Sequence, residues 1–547
     1  MARCEIVSDT PTILSQTSAA SGQSAFAPLT IPTFRAVWLG NLLSNFGGLV
    51  QTVGAAWLMT LIATSDLQVA LVQASTTLPV MVFSLISGAV ADSFDRRRVM
   101  LLAQTFMFVV AIALVLVAWF GLINAWLLLG LTFLLGCGIA FNNPAWQASV
   151  RDIVGMDHLP AAVLLNGVGF NVVRSVAPAI GGVIVATVGP VVAFMVNAFS
   201  YLGIIFAVWR WQGPPRQTSE QREPLRAAIL SGIRYVRLAP NLRRLYARCF
   251  VFGLGAVTAL ALLPLIARDL LQGDSLTFGL LLGAFGFGAV IAGLSSARVA
   301  QHLSTEWMVR VAFLALLVGV LTSSVSVWFP LTALAITLCG WAWVLALAQF
   351  NTTVQLSTPR WVVGRAMAFY QMFAFGGMAL GAWVWGMSVD IRGLPLTLQW
   401  SASILVMGLL IGLRWPLPSR RELNLDPLDR WKEPEVALDV VPRSGPVSVA
   451  IEYLIEEADI GEFLRLMAAR QRIRRRDGAR QWVLMRDVES PLLWIERFEL
   501  STWADYVRMH SRTTQEDAKV FDQIRALHKS PDKPRVRRLL VRDLGSI

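Results

Sequence analysis

Long apolar stretches alternate with short polar joints from Phe34 to Leu413. Twelve stretches lie near residues 34–58, 69–91, 98–120, 125–147, 161–187, 190–209, 245–268, 276–299, 308–328, 331–353, 364–388 and 395–414. About 20 helical residues cross the hydrocarbon core of a bilayer, so each stretch predicts one spanning helix. After Trp415 the pattern changes. Val447–Ile455 alternates as a strand, Asp459–Arg475 reads as a helix, and Arg480–Glu489 and Pro491–Leu500 read as a hairpin. Two helical patches follow, one after Ser501 and one over Glu516–His528, and Arg535–Asp543 reads as a closing strand. The order β-α-β-β-α-β predicts a ferredoxin-like α+β unit.

Charge orients the spans. SFDRRR (Ser93–Arg98) is followed by the uncharged AWFGLINAW (Ala118–Trp126), then SVRDIVGMDH (Ser149–His158), then the uncharged TVGPV (Thr187–Val191). Arginine continues to fall in every second joint, and the positive-inside rule puts those joints in the cytoplasm. Both ends of the chain, the central joint and the C-terminal unit are therefore expected to be cytosolic. The expected segments are a disordered tail over 1–33, six helices over 34–209, a central loop over 210–244, six helices over 245–415, a linker over 416–446 and the α+β unit over 447–547. The first 33 residues show no charged region followed by an apolar one, so no cleaved signal is expected.

Composition narrows the class. The chain is 55% hydrophobic and 15% charged, against about 25% charged in soluble domains, so it is a polytopic membrane protein. Its net charge of +12 does not imply nucleic acid, because much of the arginine sits in joints that meet anionic headgroups. Cys4, Cys137, Cys249 and Cys339 are too scattered for a disulfide framework or a metal site. The sequence has no G-x-x-x-x-G-K-[ST] loop, so no cofactor is implied and an ion gradient is the default energy source. FNNPAWQASVRDIVG (Phe141–Gly155) is similar to FNTTVQLSTPRWVVG (Phe350–Gly364), each late in the fourth span of its set. Two similar six-span halves suit alternating access.

The joint after the second span reads Gly88-Ala-Val-Ala-Asp92-Ser-Phe-Asp95-Arg96-Arg97-Arg98. It resembles the signature loop of the major facilitator superfamily. Gly88, Asp92, Arg96 and Arg97 match, whereas Ser93 and Asp95 depart from the usual basic residue and glycine. Gly88 lets helices approach closely, and Asp92 at a helix end can pair with an arginine or accept from a helix N-terminus. These four residues are the candidate gating loop; a solvated turn is the plainer reading. The corresponding loop of the second half keeps Gly293 but has Ala297 where an aspartate would stand.

In the fifth span, RSVAPAIGG (Arg174–Gly182) resembles the glycine-proline motif of exporter branches, with Pro178, Gly181 and Gly182 matching and Ala177 departing. The resemblance implies export. Arg174 falls near mid-membrane with no carboxylate deep in any predicted span, so it faces a wet cavity and anionic cargo, or it serves helix packing. Asn41, Asn45, Asn142, Asn171, Gln349, Asn351 and Gln371 are candidate cavity-lining residues, with helix–helix hydrogen bonding as the alternative. Over the first 415 residues the chain looks most like the bacterial branch that contains the enterobactin exporter and effector-like permeases. That implies siderophores, secondary metabolites or amphiphilic drugs as cargo, and protons as the coupling ion, in a bacterial inner membrane. An importer on the same fold is the alternative.

The C-terminal unit is similar to dimeric α/β-barrel domains related to antibiotic-biosynthesis monooxygenases, through its element order and the segment TWADYVRMHSRTTQED (Thr502–Asp517). The resemblance implies a homodimer through this unit. Trp482, Trp494 and His510 are its candidate pocket, in either a catalytic or a purely regulatory or dimerising module.

Overall fold

The structure, a computed structural model, describes residues 26–155, 157–213, 225–359, 361–417, 428, 434 and 436–542. The side chains of Asp92, Ser93, residues 225–228 and Ala297 lie outside the description. The first half consists of α1 (Pro32–Ile62), α2 (Asp66–Ser93), α3 (Arg96–Trp119), α4 (Ala125–Val154), α5 (Leu159–Val188) and α6 (Pro190–Arg210). α7 (Leu225–Leu238) connects the halves. One long span then runs as α8 (Pro240–Ala256), α9 (Thr258–Ala261), α10 (Leu263–Leu265) and a π turn over Ile266–Leu270. α11 (Ser275–His302), α12 (Thr305–Val325), α13 (Phe329–Leu356), α14 (Val363–Arg392) and α15 (Leu394–Arg414) complete the second half. Among the described residues, twelve helices are long and apolar enough to cross a membrane.

Local chemistry sets the joints. Asp95 caps α3 by accepting from the Arg97 and Arg98 backbone N–H groups, and Asn124 caps α4 through Leu127. Asp274 and Thr277 close α11 with a capping box. The halves repeat one turn: Gly189 has φ +90° before the proline-started α6, and Gly393 has φ +82° before the proline-started α15. A left-handed glycine followed by a proline in the next first turn makes a sharp reversal at both places. Several spans extend past the expected bounds; α4, α5 and α14 each have 30 residues. Every backbone group in the hydrocarbon must bond internally, so continuing a helix past the interface costs little. The central loop also gains an element that apolar length could not reveal, the amphipathic α7, which buries Tyr235 and Val236 and exposes Leu230.

Small residues bring the spans together. Gly40, Gly47 and Gly54 recur every seven residues on α1 and face α6. A Cβ at Gly40 would lie 2.9 Å from the Ile204 Cα, and one at Gly47 would lie 2.9 Å from the Asn197 Cα. Lipid supplies no hydrophobic driving force between helices, so such close backbone approach is what holds the seam. A buried polar contact in it runs from Asn197 Nδ2 to Gln51 Oε1.

The domain-bearing end of the second half is tied by charge. Arg248 of α8 is buried and clasps Glu306 of α12 with both terminal nitrogens, Nη2 to Oε1 at 3.1 Å. Arg310 Nε donates to the same Oε1 at 2.8 Å, and the Leu417 N–H donates to Oε2 at 2.8 Å. One carboxylate thus serves two guanidiniums and joins α8, α12 and the end of α15.

The C-terminal unit has β1 (Val447–Leu454), α16 (Ile460–Asp477), β2 (Arg480–Arg486), β3 (Leu493–Leu500), α17 (Trp503–Ser511), α18 (Gln515–Ala526) and β4 (Val536–Leu540). The sheet is antiparallel in the order β2-β3-β1-β4, with Val447 opposite Leu500 and Leu540. Alternate residues Val447, Val449, Ile451 and Tyr453 are buried in a core with Phe463, Met467, Phe498 and Tyr506. The architecture is twelve spanning helices in two halves plus a ferredoxin-like α+β unit.

Glu306→Gln leaves Arg248 buried without its counter-charge. Loss of about 3–5 kcal/mol of stability is expected, read as a lowered thermal midpoint of the purified protein; an unchanged midpoint would show that the cluster contributes nothing.

Candidate transport path and C-terminal pocket

The halves meet along two seams, α5 against α11 and α2 against α14. The exporter-like residues lie in the first. A Cβ at Gly182 would lie 2.9 Å from the Ser275 carbonyl oxygen and 3.0 Å from the Gly279 Cα; one at Gly279 would lie 2.7 Å from the Gly182 Cα. The two glycines therefore let the backbones touch. Gly181 packs on Val50 and Val53 of α1, and Pro178 is buried, with its carbonyl turned to Gly279. Along the same line Gly286 abuts the Arg174 and Ser175 backbone. RSVAPAIGG thus works as an inter-half packing surface.

Arg174 projects its guanidinium over the Phe285 ring of α11, 5.5 Å from the centroid. Among the described residues no carboxylate pairs with it. Arg174 is half-buried, and a cation–π contact compensates a charge taken out of water only in part.

The polar candidates do not converge on one point. Asn41 and Asn45 sit one turn apart on α1, half-buried, and Asn45 Nδ2 donates to the Asn41 carbonyl at 2.8 Å. Asn142 is buried in the α3–α4 seam, where Oδ1 accepts from Gln104 Nε2 at 3.1 Å. Asn171 is half-buried beside Gly293 of α11. Gln349 is buried in α13, Asn351 Oδ1 accepts from Gln355 one turn on, and Gln371 is half-buried on α14.

At the signature loop, Gly88 has open space around its Cα. The Asp92 side chain lies outside the described residues. Arg96 pairs with Asp152 at 2.7 Å and donates to the Ala148 carbonyl, which ties α3 to α4. Arg97 donates to the Val208 and Trp209 carbonyls and closes the C-terminal end of α6. Both arginines bind within their own half.

The opposite end carries a charge cluster between the halves whose members lie far apart in the sequence. Arg268 Nη2 donates to Asp66 Oδ1 at 2.9 Å, and Nη1 donates to the Thr60 carbonyl at 3.3 Å. Asp390 Oδ1 accepts from the Asp66 backbone N–H at 2.8 Å, so the end of α14 caps the start of α2. Nearby, Trp57 of α1 stacks on Phe278 of α11 at 6.5 Å. This end is shut.

The C-terminal unit rests on α7. Arg476 lies over the Tyr235 ring at 5.5 Å, Arg512 lies over Trp361 at 4.2 Å, and Tyr235 meets Trp361 edge to face at 5.6 Å. Arg365, at the start of α14, donates to Ser231 on α7. Inside the unit a cavity of about 430 Å³ opens between the sheet and α16–α18, and His510 stands in its wall. Trp482 and Trp494 lie outside that wall: Trp482 Nε1 donates to Glu496 at 3.0 Å, and Trp494 packs on Phe463. The cavity's cations Arg470 and Arg474 were hidden in the basic run of α16 and became candidates only once β1 and β3 covered them. Burial and then the charge of Arg474 push the His510 imidazole down to about 3 from its ordinary 6.5.

Twelve spanning helices in two halves that meet along α5–α11 and α2–α14 have the arrangement of a major facilitator transporter. The profile of the transmembrane secretion effector family matches residues 23–544, and the chain belongs to that family. It is 28% identical over 415 residues to the multidrug efflux pump Tap of Mycolicibacterium fortuitum, covering 73% of this chain and 97% of the relative. It is 26% identical over 386 residues to the enterobactin exporter EntS of Shigella flexneri, covering 70% and 90%. The Staphyloferrin A transporter of Staphylococcus aureus (strain NCTC 8325 / PS 47) is 23% identical over 372 residues, covering 65% and 89%. In fold it matches a bacterial homolog of the human lysosomal transporter Spinster in an inward-facing, unoccupied conformation, with TM-score 0.55, 16% identity and coverage of 71% of this chain and 98% of that one. The nucleoside transporter NupG matches with TM-score 0.54, 11% identity and coverage of 70% and 98%.

Below pH 6.5 the unfolded chain takes up a proton at position 510 that the folded one refuses. The stability present above that pH is therefore lost as pH falls toward 3. His510→Gln should flatten the fall in thermal midpoint between about pH 7 and pH 4; an unaltered slope would mean that the imidazole titrates freely in the fold.

Proposed function

We propose that the protein is a secondary exporter of amphiphilic small molecules, driven by the proton gradient, with its termini and C-terminal unit in the cytosol. The end held by Asp66, Arg268 and Asp390 is then the outer one, and cargo enters from the inside. The observation that carries this reading is Arg174, half-buried beside the glycine seam of α5 and α11 with no carboxylate partner among the described residues. It supports cargo with an anionic group on an apolar body. Relatives named as a multidrug efflux pump and an enterobactin exporter support outward transport of small molecules. Asp92 and Gly88 belong to the same proposal as an inner latch, made when the outer cluster opens. The C-terminal unit acts without catalysis, seated on the connector between the halves. Its other sheet face, with Val483 and Met485 exposed, pairs with a second copy.

Inverted vesicles carrying the protein should accumulate an amphiphilic anion under an imposed proton gradient, and Arg174→Ala should lower that uptake at least tenfold. Equal uptake by the variant removes Arg174 from the path, and uptake only in right-side-out vesicles reverses the direction.

Alternating access requires the Asp66–Arg268 pair to break and reform. Asp66→Arg and Arg268→Asp should each impair export, and the double exchange should restore most of it. A double exchange no better than the singles would rule out the pair as an outer latch.

A further inference from the structure

The C-terminal cavity contains more positive charge than its own fold uses. Arg470 and Arg474 stand one turn apart on α16, and each side chain is only 7% exposed. They share one carboxylate, Glu496 on β3, which is fully buried. Glu496 is already well occupied. It accepts from Arg470 Nε at 2.8 Å, from the Tyr453 hydroxyl at 3.1 Å and from Trp482 Nε1 at 3.0 Å. Arg474 Nε stays 3.6 Å from the nearest Glu496 oxygen, and among the described residues it makes no hydrogen bond. Its Nη1 reaches only the Met509 thioether, at 3.6 Å, a weak acceptor.

A buried guanidinium without full compensation is costly, and an apolar side chain in its place would pack at no such cost. Yet this arginine is held in place. Its guanidinium lies 4.8 Å from the Phe498 centroid and 5.3 Å from the Phe521 centroid. Arg470 lies 4.5 Å from the same Phe521 ring. The aromatic faces orient both cations toward the cavity wall, which they share with Phe498 and Phe521. His510 adds no charge there, because its imidazole is neutral at ordinary pH. Arg525, Lys533 and Arg538 add positive charge at the lining against Asp522. The apolar remainder of the wall includes Val449, Ile451 and Val536. The volume, about 430 Å³, falls within the range of small-molecule sites.

We propose that this cavity is a binding site for a small organic anion with a flat apolar body, whose carboxylate or phenolate oxygen completes the hydrogen bonding of Arg474. The site is separate from the transport path. α16 leads from Arg470 and Arg474 directly to Arg476, which lies over Tyr235 of α7. Occupancy is thus sensed one turn from the connector between the two transport halves. The anion has two possible sources with the same chemistry, the exported cargo itself or a metabolite that the protein does not carry.

The test uses full-length protein in nanodiscs, titrated calorimetrically with 2-naphthoate and with its neutral isostere 2-naphthamide. Saturable binding of the anion and at least tenfold weaker binding of the amide are expected. Arg474→Met should abolish the 2-naphthoate binding that persists in Arg174→Ala protein, while leaving the thermal midpoint unchanged or higher, since the Arg470–Glu496 pair remains balanced. Arg470→Met should lower the midpoint, because it strips Glu496 of its close partner. Arg174→Ala should leave 2-naphthoate binding intact, which separates this site from the path. Competition by a transported amphiphile identifies cargo as the natural ligand; lack of competition identifies an uncarried metabolite, and both support the site. Absence of saturable 2-naphthoate binding, equal binding of the amide, or an Arg474→Met protein that binds normally overturns the proposal. So does an Arg474→Met midpoint that falls as far as that of Arg470→Met, which would make Arg474 a structural cation.

Discussion

An arginine surrounded by apolar matter must leave it, pair within it or face something polar, and this molecule uses all three solutions. In the joints, Arg96 and Arg97 reach carboxylates and helix-end carbonyls at the edge of their own half. In the second half, Arg248 stays inside and shares Glu306 with Arg310. Arg174 lies beside an aromatic ring, with no carboxylate partner among the described residues. The same cost of desolvation that sorts arginine along the chain decides which helices are tied together and which donors are left for a ligand.

Packing follows from the complementary constraint. Helices in lipid gain little by hiding apolar side chains from one another, so contact depends on how closely their backbones approach. Gly40, Gly47 and Gly54 close the α1–α6 seam within one half. Gly182 and Gly279 close the α5–α11 seam between halves. The first is a fixed joint with buried polar pairing through Gln51 and Asn197. The second brings the two backbones together at glycines, with Arg174 lying over Phe285 further along. The charge cluster of Asp66, Arg268 and Asp390 sits where that surface ends.

The C-terminal unit shows how the two parts of the chain are joined. α7 lies between the start of α14 and the α+β unit, held by Ser231 on one side and by Tyr235 on the other. A helix linking the two transport halves is the element that their relative motion must displace. A folded unit seated on it therefore bears on the path without touching the path, and its excess of buried positive charge gives that contact a chemical input.

The number of spans, their division into two sets and the strand order of the last hundred residues were legible in the sequence, because each depends on local period and length. Apolar runs set the helices, and alternating residues from Val447 to Tyr453 set β1. The α7 helix was not legible, because its apolar stripe is short and embedded among arginines. Nor was the C-terminal cavity: His510 was visible as a candidate, but Arg470 and Arg474 looked like any basic helix face. Asn142 illustrates the converse, a cavity candidate that packing assigned to a seam. What the sequence determined by itself was which segments enter the membrane, since hydropathy and charge act residue by residue. Only the tertiary structure decided which charges are paired, since a carboxylate such as Glu306, Asp66 or Glu496 finds its arginine across 26 to 202 residues of chain.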